Sequence, residues 1–339
     1  MKTPRADVVV IGAGTAGISA ARIFQQNGLE VVVIDKSRGL GGRAATRRFE
    51  CGPVDHGAQF FTAKSREFIE HTNHWLRRGL CREWTRGFPI WEKGTLHAPA
   101  GGGHPRFCCP GGMTAPAKLD AQDLTIWKDE PVSAVTVENG ALLTTTTNRS
   151  ISSAAVICTA PAPQALKILE SLTVDEDRNT LSETAYDPCF CAIYDLPGCQ
   201  PAWPAIEVHG SPISWIADDG SRRQPIRSGP YVVHASPEFS LEHLEQHPME
   251  VAQLLTGPLA EILGTDLPDA KILHAHRWRY ARPRPAAKLN SFYPLVGNPD
   301  VCFAGDACGT GNIESAWLSG RAAAECLLAR ISQPRVPGK

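Results

Sequence analysis

The fold of this chain is decided by the stretch Val8-Val9-Val10-Ile11-Gly12-Ala13-Gly14-Thr15-Ala16-Gly17. A four-residue apolar run precedes the glycines, a helical pattern over 15–27 follows them, and a second apolar strand covers 31–35. Three glycines spaced G-x-G-x-x-G between a strand and a helix are typical of dinucleotide binding. The first allows a tight turn, the second admits a pyrophosphate, and the third lets helix and strand pack closely. The stretch therefore predicts a parallel α/β domain that binds a dinucleotide.

The residues around this turn predict how the dinucleotide is held. We expect the turn to bind phosphate through the following residues: Gly12, Ala13, Gly14, Thr15, Ala16 and Gly17. Asp35, at the end of the second strand, is placed to accept hydrogen bonds from an adenosine ribose, and its charge would repel a 2′-phosphate. Lys36 and Val132, the first residue of a later predicted strand, complete the expected binding site. These signals alone do not separate FAD from NAD.

Two later stretches of the sequence distinguish FAD from NAD. Arg38-Gly39-Leu40-Gly41-Gly42-Arg43-Ala44-Ala45-Thr46 resembles the Gly-Gly-Arg stretch of the FAD-dependent amine oxidase superfamily. Phe303-Ala304-Gly305-Asp306-Ala307, followed by a small-residue helix from about Ile313, resembles the C-terminal flavin motif of that superfamily. Taken alone, the first stretch also fits a solvated basic loop and the second an ordinary capped helix. Their order in one chain favours the flavin interpretation.

This resemblance implies a role for each matching residue. Gly42 and Arg43 would follow the pyrophosphate and ribityl chain, with glycine allowing close approach and the guanidinium offering donors to phosphate oxygens. Gly305 and Asp306 would lie at the ribityl hydroxyls or a phosphate-linked water. The helix at Ile313 would direct its positive end at flavin N1 and the C2 carbonyl.

A further set of short strings resembles renalase-like proteins over essentially the whole chain. They are Asp55-His56-Gly57-Ala58-Gln59-Phe60-Phe61-Thr62-Ala63, Trp215, Val233-His234-Ala235-Ser236, His276-Arg277-Trp278-Arg279-Tyr280-Ala281 and Glu314-Ser315-Ala316-Trp317-Leu318-Ser319-Gly320. The resemblance implies flavin contacts from Gly57, Ala58 and Gln59. It also implies that Gln59 and Phe60 face the substrate cavity and that Trp278 and Tyr280 form its walls. For the aromatic residues, core packing is the alternative.

The implied fold is α/β: a Rossmann-type FAD-binding domain with a discontinuous second, substrate domain built on a mainly antiparallel sheet plus helices, as in amine oxidases and p-hydroxybenzoate hydroxylase. We expect the FAD-binding domain to comprise 1–65, 105–165 and 292–332, the substrate domain 66–104 and 166–291, and a tail 333–339. Locally, 75–112 is expected to be loops or an insertion, and 240–263 one helical stretch.

The resemblance also implies a reaction. An FAD-dependent oxidase would transfer a hydride from 2- or 6-dihydro isomers of NAD(P)H to flavin N5, forming NAD(P)+ and, on reoxidation by O2, hydrogen peroxide. A dihydropyridine becomes an aromatic cation by losing a hydride, so no general base is required. No catalytic residue is assigned for this reason. A flavin amine oxidase or dehydrogenase acting on a small amine is the main alternative, and a non-catalytic binding protein of the same fold is another.

Histidines and cysteines add no clear reactive group. His56 is either a base or a hydrogen-bonded structural residue, and His234 and His276 carry no better case. The 11 cysteines show no Cys-x-x-Cys spacing, so no metal site is predicted. We expect FAD to bind without a covalent link; attachment through Cys302 or Cys308 is the alternative.

Composition bounds the remaining partners. The chain has 339 residues, with 34 Lys+Arg against 35 Asp+Glu. It therefore lacks the excess of basic residues that is typical of proteins binding nucleic acid or an anionic membrane surface. We found neither a signal-peptide core nor an apolar run long enough to span a membrane, and we expect cytoplasmic residence. A small-molecule substrate with O2 is the expected set of partners.

Overall fold

The computed structural model describes residues 3–99, 101–200, 202–226, 229–284 and 289–331. The chain forms two compact units. The first comprises Met1–Gly42, Ala117–Ala185 and Pro283–Lys339, and the second Arg43–Pro116 and Tyr186–Arg282. The predicted tail 333–339 lies outside the described residues.

The first unit is built on a six-stranded sheet with the order β19-β20-β13-β1-β2-β9. Its strands are β1 (Val8–Ile11), β2 (Val31–Ile34), β9 (Thr125–Trp127), β13 (Ala155–Cys158), β19 (Tyr293–Pro294) and β20 (Val301–Phe303). All neighbours are parallel except the edge pair β19 and β20. Every residue of β1, β2 and β13 is buried, as expected for parallel strands that are covered on both faces.

Helices and a small second sheet complete this unit. The helices are α1 (Thr15–Gln26), α3 (Ala115–Asp120, which begins in the second unit), α4 (Ala162–Ile168), α5 (Asp175–Ser182) and α8 (Ile313–Ile331). The antiparallel sheet consists of β10 (Val132–Glu138), β11 (Ala141–Thr146) and β12 (Ser150–Ser153). Gly28, which follows the C-cap residue Asn27 of α1, has φ +77°, a left-handed conformation that favours glycine at the end of a helix.

The second unit is built on a seven-stranded sheet with the order β18-β14-β17-β16-β15-β6-β7. Its strands are β6 (Ile90–Glu92), β7 (Thr95–His97), β14 (Tyr186–Asp195), β15 (Ala205–His209), β16 (Ile213–Asp218), β17 (Tyr231–Ala235) and β18 (Lys271–Pro283). Apart from the parallel pair of β6 and β15, the registered neighbours are antiparallel. This confirms the predicted fold class: a Rossmann-type α/β unit with a mainly antiparallel second sheet.

Three helices and two hairpin-like pairs surround that sheet. The helices are α2 (Arg66–Arg77), α6 (Pro237–Glu242) and α7 (Pro248–Leu263), and the paired strands are β3 (Thr46–Phe49) with β4 (Gly52–Asp55) and β5 (Arg82–Thr85) with β8 (Arg106–Cys108). The apolar side chains of α7 pack on one face of the sheet, where they meet alternate residues of β14 and β17 such as Tyr194 and Val233. The opposite face carries the candidate site.

The predicted loops over 75–112 are wrong, because this stretch contains the end of α2 and the strands β5 to β8. These strands have three or four residues each, too few to show the alternation of a strand. The helical pattern over 240–263 is confirmed and is divided between two helices: α6 ends at Glu242, and α7 begins at Pro248 with His247 as its N-cap.

The bounds of the compact units differ from the predicted domains in several stretches. Residues 43–65 and 105–116 belong to the second compact unit, and 166–185, 283–284 and 289–291 belong to the first. The assignment of cofactor and substrate roles to particular segments remains a prediction.

Packing of α1 against α8 depends on Gly320. A Cβ added at this position would lie 2.0 Å from the carbonyl oxygen of Ala16, whereas one added at Gly257 in α7 would meet no atom within 4 Å. We expect Gly320→Ala to lower the free energy of unfolding by about 2 kcal/mol through overpacking. Gly257→Ala, the matched control in another helix, should raise it by about 1 kcal/mol. Urea denaturation of both variants tests this, and equal shifts of the same sign would contradict it.

Candidate functional site

The glycine-rich turn before α1 has the shape of a phosphate cradle. Gly12 has φ +105°, and a Cβ added there would lie 2.4 Å from Thr159 Oγ1. A Cβ added at Gly17 would lie 1.9 Å from the carbonyl oxygen of Gly12, so the strand and helix can approach only with glycine here. Gly14 is the N-cap of α1, and among the described residues no side chain caps it and the first turn is not acidic. The N-terminal N–H groups of α1 are therefore suited to an anion.

A second glycine loop packs directly on this turn. The Gly41 amide donates to the Ala13 carbonyl at 2.9 Å, and Gly41 forms a parallel bridge with Gly14. Gly42 has φ +57°, and a Cβ added there would lie 3.2 Å from the Gly14 Cα atom. The structure thus brings the first two predicted glycine stretches together, backbone against backbone, which fits a dinucleotide lying across them.

Asp35 joins the same assembly. Its Oδ2 atom accepts from the Ala13 amide at 2.6 Å and its Oδ1 from the Ser37 amide at 2.7 Å. A carboxylate has about four lone-pair positions, so capacity remains for ribose hydroxyls. Lys36 Nζ donates to the Gln164 side chain at 3.4 Å, and Val132 is the first residue of β10. The ligand roles of these three residues remain predictions.

The C-terminal stretch contributes a second helix start. Gly305 has φ +154° and its amide donates to Ser319 Oγ at 2.9 Å, and the adjacent Asp306 is buried. Ile313 is the first residue of α8, and Asn312 caps the helix by accepting from the Ser315 amide at 2.8 Å. The start of α8 is capped by a side chain and that of α1 is not, so α1 is the better anion site of the two.

In the second unit, Arg43 is held by the stretch that follows β4. The Ala58 amide donates to the Arg43 carbonyl at 2.9 Å, and a Cβ at Gly57 would lie 1.9 Å from that same oxygen. The Arg43 guanidinium donates to the carbonyls of Tyr280 and Ala281, at 3.3 and 3.1 Å. The predicted cofactor contacts of Arg43, Gly57 and Ala58 remain predictions.

Four buried charged residues, Asp55, Asp219, Arg222 and Arg223, form a quartet beneath this stretch. Arg223 Nη2 donates to Asp55 Oδ2 at 2.9 Å and also pairs with Asp219, which in turn pairs with Arg222. The Asp55 amide donates to Asp219 Oδ1 at 3.0 Å. All four side chains are at most 3% exposed, so the pairs lie in a low-dielectric interior where a lost partner is costly.

The quartet fixes Gln59. Arg222 Nη1 donates to the Gln59 carbonyl at 2.9 Å, while the Gln59 side-chain amide donates back to the carbonyls of Asp55 and Gly57. Gln59 Oε1 is buried and accepts no hydrogen bond within the described residues. A buried acceptor without a donor is costly, so this oxygen is suited to a ligand or water.

Phe60 belongs to an aromatic face of the sheet, which we define as Phe60, Trp84, Phe88 and Trp215. The ring centroids of Phe60 lie 5.2 Å from Phe88 and 5.8 Å from Trp215. The indole nitrogens of Trp84 and Trp215 are buried and have no partner in the described part of the chain. The aromatic face therefore combines apolar area with unused N–H donors, a combination typical of ligand sites.

Trp278 and Tyr280 lie on the long strand β18. Trp278 Nε1 donates to the His56 carbonyl at 2.9 Å and its ring stacks on the His56 imidazole, while it also packs on the small core around Val54 and Ile193. Tyr280 contacts Tyr186 edge-on. Both side chains are partly exposed, and their predicted role as walls of the substrate cavity is untested.

The buried histidines are weak bases. Burial, with the charges of His276 and His274 next, lowers the pKa of His56 from 6.5 to about 3. Burial and the charge of Arg222 lower the pKa of His234 from 6.5 to about 4. Both imidazoles are neutral at pH 7 and have little tendency to take a proton from a substrate.

The two cysteines nearest the Gly305 turn are unreactive. Burial raises the pKa of Cys308 to about 12 and raises that of Cys302 further. The thiolate is the nucleophilic form of cysteine, so neither thiol is activated for attachment to a flavin.

The quartet partners of Asp55 were not predicted from the sequence. Asp219, Arg222 and Arg223 lie in Asp218-Asp219-Gly220-Ser221-Arg222-Arg223, which has the composition of a solvated turn. The sequence does contain one signal for these pairs. Asp219 is followed three and four residues later by Arg222 and Arg223, the spacing at which side chains pair within a helical turn.

Comparison with known proteins places these features in a family. The sequence profile described as flavin containing amine oxidoreductase matches residues 89–328, and one described as an NAD(P)-binding Rossmann-like domain matches residues 10–77. Polyamine oxidase 2 of Arabidopsis thaliana is 40% identical over 83 residues, which are 24% of this chain and 14% of that protein. Hydroxyneurosporene desaturase of Rubrivivax gelatinosus is 39% identical over 57 residues, 17% of this chain and 11% of that protein. The matches thus span only about an eighth of these relatives.

Solved structures are similar over almost the whole chain. Cyclohexylamine oxidase from Brevibacterium oxydans has a TM-score of 0.77 at 14% identity, covering 97% of this chain and 100% of that one. Putrescine oxidase with bound putrescine has a TM-score of 0.76 at 14% identity with the same coverage. At this identity the likeness establishes the fold. In the described residues, no helix is both long and apolar enough to cross a membrane.

Removing one member of the quartet should be far more damaging than breaking an exposed pair. We expect Arg223→Met to lower the free energy of unfolding by about 3 to 5 kcal/mol, because Asp55 and Asp219 stay buried with too few partners. Arg86→Met, which breaks the exposed pair with Glu83, is the matched control and should cost about 1 kcal/mol or less. Denaturant unfolding measures both, and equal losses would refute a stabilising role for the quartet.

His234 predicts a pH dependence of stability. Between pH 6.5 and 4 the unfolded chain binds a proton at this residue and the folded protein does not, so the free energy of unfolding falls as pH falls through that window. Protonation of His234 changes the free energy of unfolding by at most about 1.4 kcal/mol per pH unit. Urea denaturation at several pH values should give a smaller slope for His234→Gln than for wild type. The exposed His209→Gln is the control, and unchanged slopes in both variants would contradict the assignment.

Proposed function

Because the chain belongs to the flavin-containing amine oxidoreductase family, we propose that it is an FAD-dependent oxidase of the renalase-like branch, acting on 2- or 6-dihydro isomers of NAD(P)H. Bound FAD would accept a hydride at flavin N5, and its reoxidation by O2 would yield hydrogen peroxide. The family implies the flavin. The branch, the substrate and non-covalent binding are our proposal.

Buried polar atoms that lack partners carry this proposal. Among the described residues, Gln59 Oε1 is a buried acceptor without a donor, and the indole nitrogens of Trp84 and Trp215 are buried donors without acceptors. A nicotinamide carboxamide presents an NH₂ donor and a carbonyl acceptor, the two kinds of group that these atoms require. Phe60 and Trp84, the partly exposed members of the aromatic face, offer apolar ring surface to the dihydropyridine.

Charge and basicity agree with a hydride donor. The two carboxylates beneath the stretch 55–59, Asp55 and Asp219, are already paired with arginines, which leaves them poorly placed to attract an ammonium group. His56 and His234 have pKa values lowered to about 3 and about 4 and are weak proton acceptors. Oxidation of a dihydropyridine to an aromatic cation requires no proton removal, so these residues need only orient the substrate and exclude water.

Oxidation of a small amine is the second candidate. It is favoured by the names of the similar structures, putrescine oxidase and cyclohexylamine oxidase, and by the aromatic face, which suits a neutral amine held between rings. The buried, arginine-paired state of both nearby carboxylates argues against a cationic diamine.

Anaerobic flavin bleaching separates these candidates. Purified protein should show the absorbance of a flavin that acid precipitation releases into the supernatant, since the buried thiols of Cys302 and Cys308 are not activated for attachment. Stopped-flow mixing with 2- and 6-dihydronicotinamide dinucleotides should bleach the flavin rapidly, while simple amines and the ordinary 4-dihydro form serve as comparisons. Bleaching by an amine with none by the isomers would overturn the proposal. Colourless protein that takes up no FAD would favour a non-catalytic binding role.

Gln59 offers a variant test. Gln59→Leu removes the unpartnered acceptor, so we expect the apparent Kd for dihydronicotinamide isomers to rise by about 2- to 10-fold. Gln246→Leu, at an exposed glutamine in the same unit, is the matched control and should leave it unchanged. The flavin absorbance of each variant is recorded first, so that loss of cofactor is distinguished from weaker substrate binding.

A further inference from the structure

Three imidazoles meet beside the site described above. His56 follows β4, and His274 and His276 lie two residues apart on β18, where alternate side chains share one face. One ring nitrogen from each lies within 4.8 Å of the others. The ring centroid of His56 is 5.7 Å from that of His274 and 5.3 Å from that of His276. No other cluster of three metal-ligating side chains occurs in the described part of the chain.

Trp278 holds His56 of the cluster in place, and one ring nitrogen of His56 has no hydrogen-bond partner among the described residues. The Trp278 ring stacks on His56, and its indole N–H donates to the His56 carbonyl, which fixes the position of that residue. His56 Nδ1 is buried and has no hydrogen-bond partner among the described residues. Burial lowers the pKa of all three imidazoles, so the neutral ring is the form present at neutral pH, although His274 Nε2 lies within hydrogen-bond distance of Arg47 Nη1.

We propose that His56, His274 and His276 form a binding site for one divalent transition metal, with Zn²⁺ the best match. Three neutral imidazoles suit Zn²⁺, Co²⁺, Ni²⁺ or Cu²⁺ and exclude Mg²⁺ and Ca²⁺, which prefer oxygen ligands. Zn–N bonds of about 2.1 Å in a tetrahedral arrangement place the nitrogens about 3.4 Å apart, so the rings close by about 1 Å on binding. Three protein ligands leave a fourth position for water or a small anion.

Arg47 opposes the metal. Its Nη1 atom lies 3.5 Å from His274 Nε2, and its charge lowers the pKa of all three histidines. The side chain is exposed and can swing away, but its positive charge reduces the affinity for a cation. The neighbouring Arg277 is paired with Glu245 at 3.7 Å, which offsets part of its charge.

Isothermal titration of the flavin-loaded protein, prepared without a polyhistidine tag, with ZnCl₂ and CoCl₂ tests this. We expect one metal per chain, at least 10-fold weaker binding in His274→Ala and His276→Ala, and tighter binding in Arg47→Gln. His209→Ala, at an exposed histidine on β15, is the matched control and should bind as wild type does. Thermal unfolding gives a second readout, because a metal bound to the folded state raises Tm in wild type and not in the double variant His274→Ala/His276→Ala.

Two results would overturn the metal site. One is absence of saturable binding to wild type at millimolar Zn²⁺ in both titration and thermal unfolding. The other is binding that His274→Ala and His276→Ala leave unchanged, which would place the metal elsewhere. Because these readouts do not involve turnover, they stand independently of the proposed substrate.

Discussion

The second unit depends on the buried quartet of Asp55, Asp219, Arg222 and Arg223. Asp55 ends β4 and accepts from Thr46, Met113 and Arg223, so one carboxylate joins three separate stretches of chain. Arg222 then reaches the Gln59 carbonyl and Arg223 the Cys109 carbonyl. A buried ion pair is not by itself strongly stabilising, because desolvation offsets the attraction. Here the ion pairs fix the position of the stretch 55–59, because they pair all four buried charges in this one geometry.

Most of the buried polar side-chain atoms that lack a hydrogen-bond partner among the described residues lie in the second unit. Gln59 Oε1, His56 Nδ1, His234 Nε2 and the indole nitrogens of Trp84 and Trp215 all belong to the second unit. Proteins leave few buried polar groups unpaired, and those that remain are commonly completed by water or a ligand. A ligand gains binding free energy from these unpartnered atoms only if the protein holds them in position before the ligand binds. The quartet fixes the neighbouring backbone and so contributes to that preorganisation.

How much of this the sequence could predict depends on how local the determinant is. The turn Gly12 to Gly17 and the strand-helix order around it follow from spacing alone, and the structure confirms them. The strand β18 escaped prediction because Arg277 and Arg279 interrupt its apolar pattern, although they pair with Glu245. The quartet and the histidine cluster escaped because their members lie up to 168 and 220 positions apart, and periodicity carries no information at that range.

The close contact between α1 and α8 has a consequence for synthesis of the chain. Ser19 Oγ donates to the Trp317 carbonyl across a separation of 298 residues, and Gly320 rests on Ala16. Ribosomes add roughly 5 to 20 residues per second, so the apolar surface of α1 waits on the order of 15 to 60 s for its partner. During that interval the residues of the second unit emerge in full, from Arg43 to Arg282. The residues of the second unit are thus all synthesised before the β-α-β segment meets α8, so the apolar surface of that segment is exposed longest during synthesis.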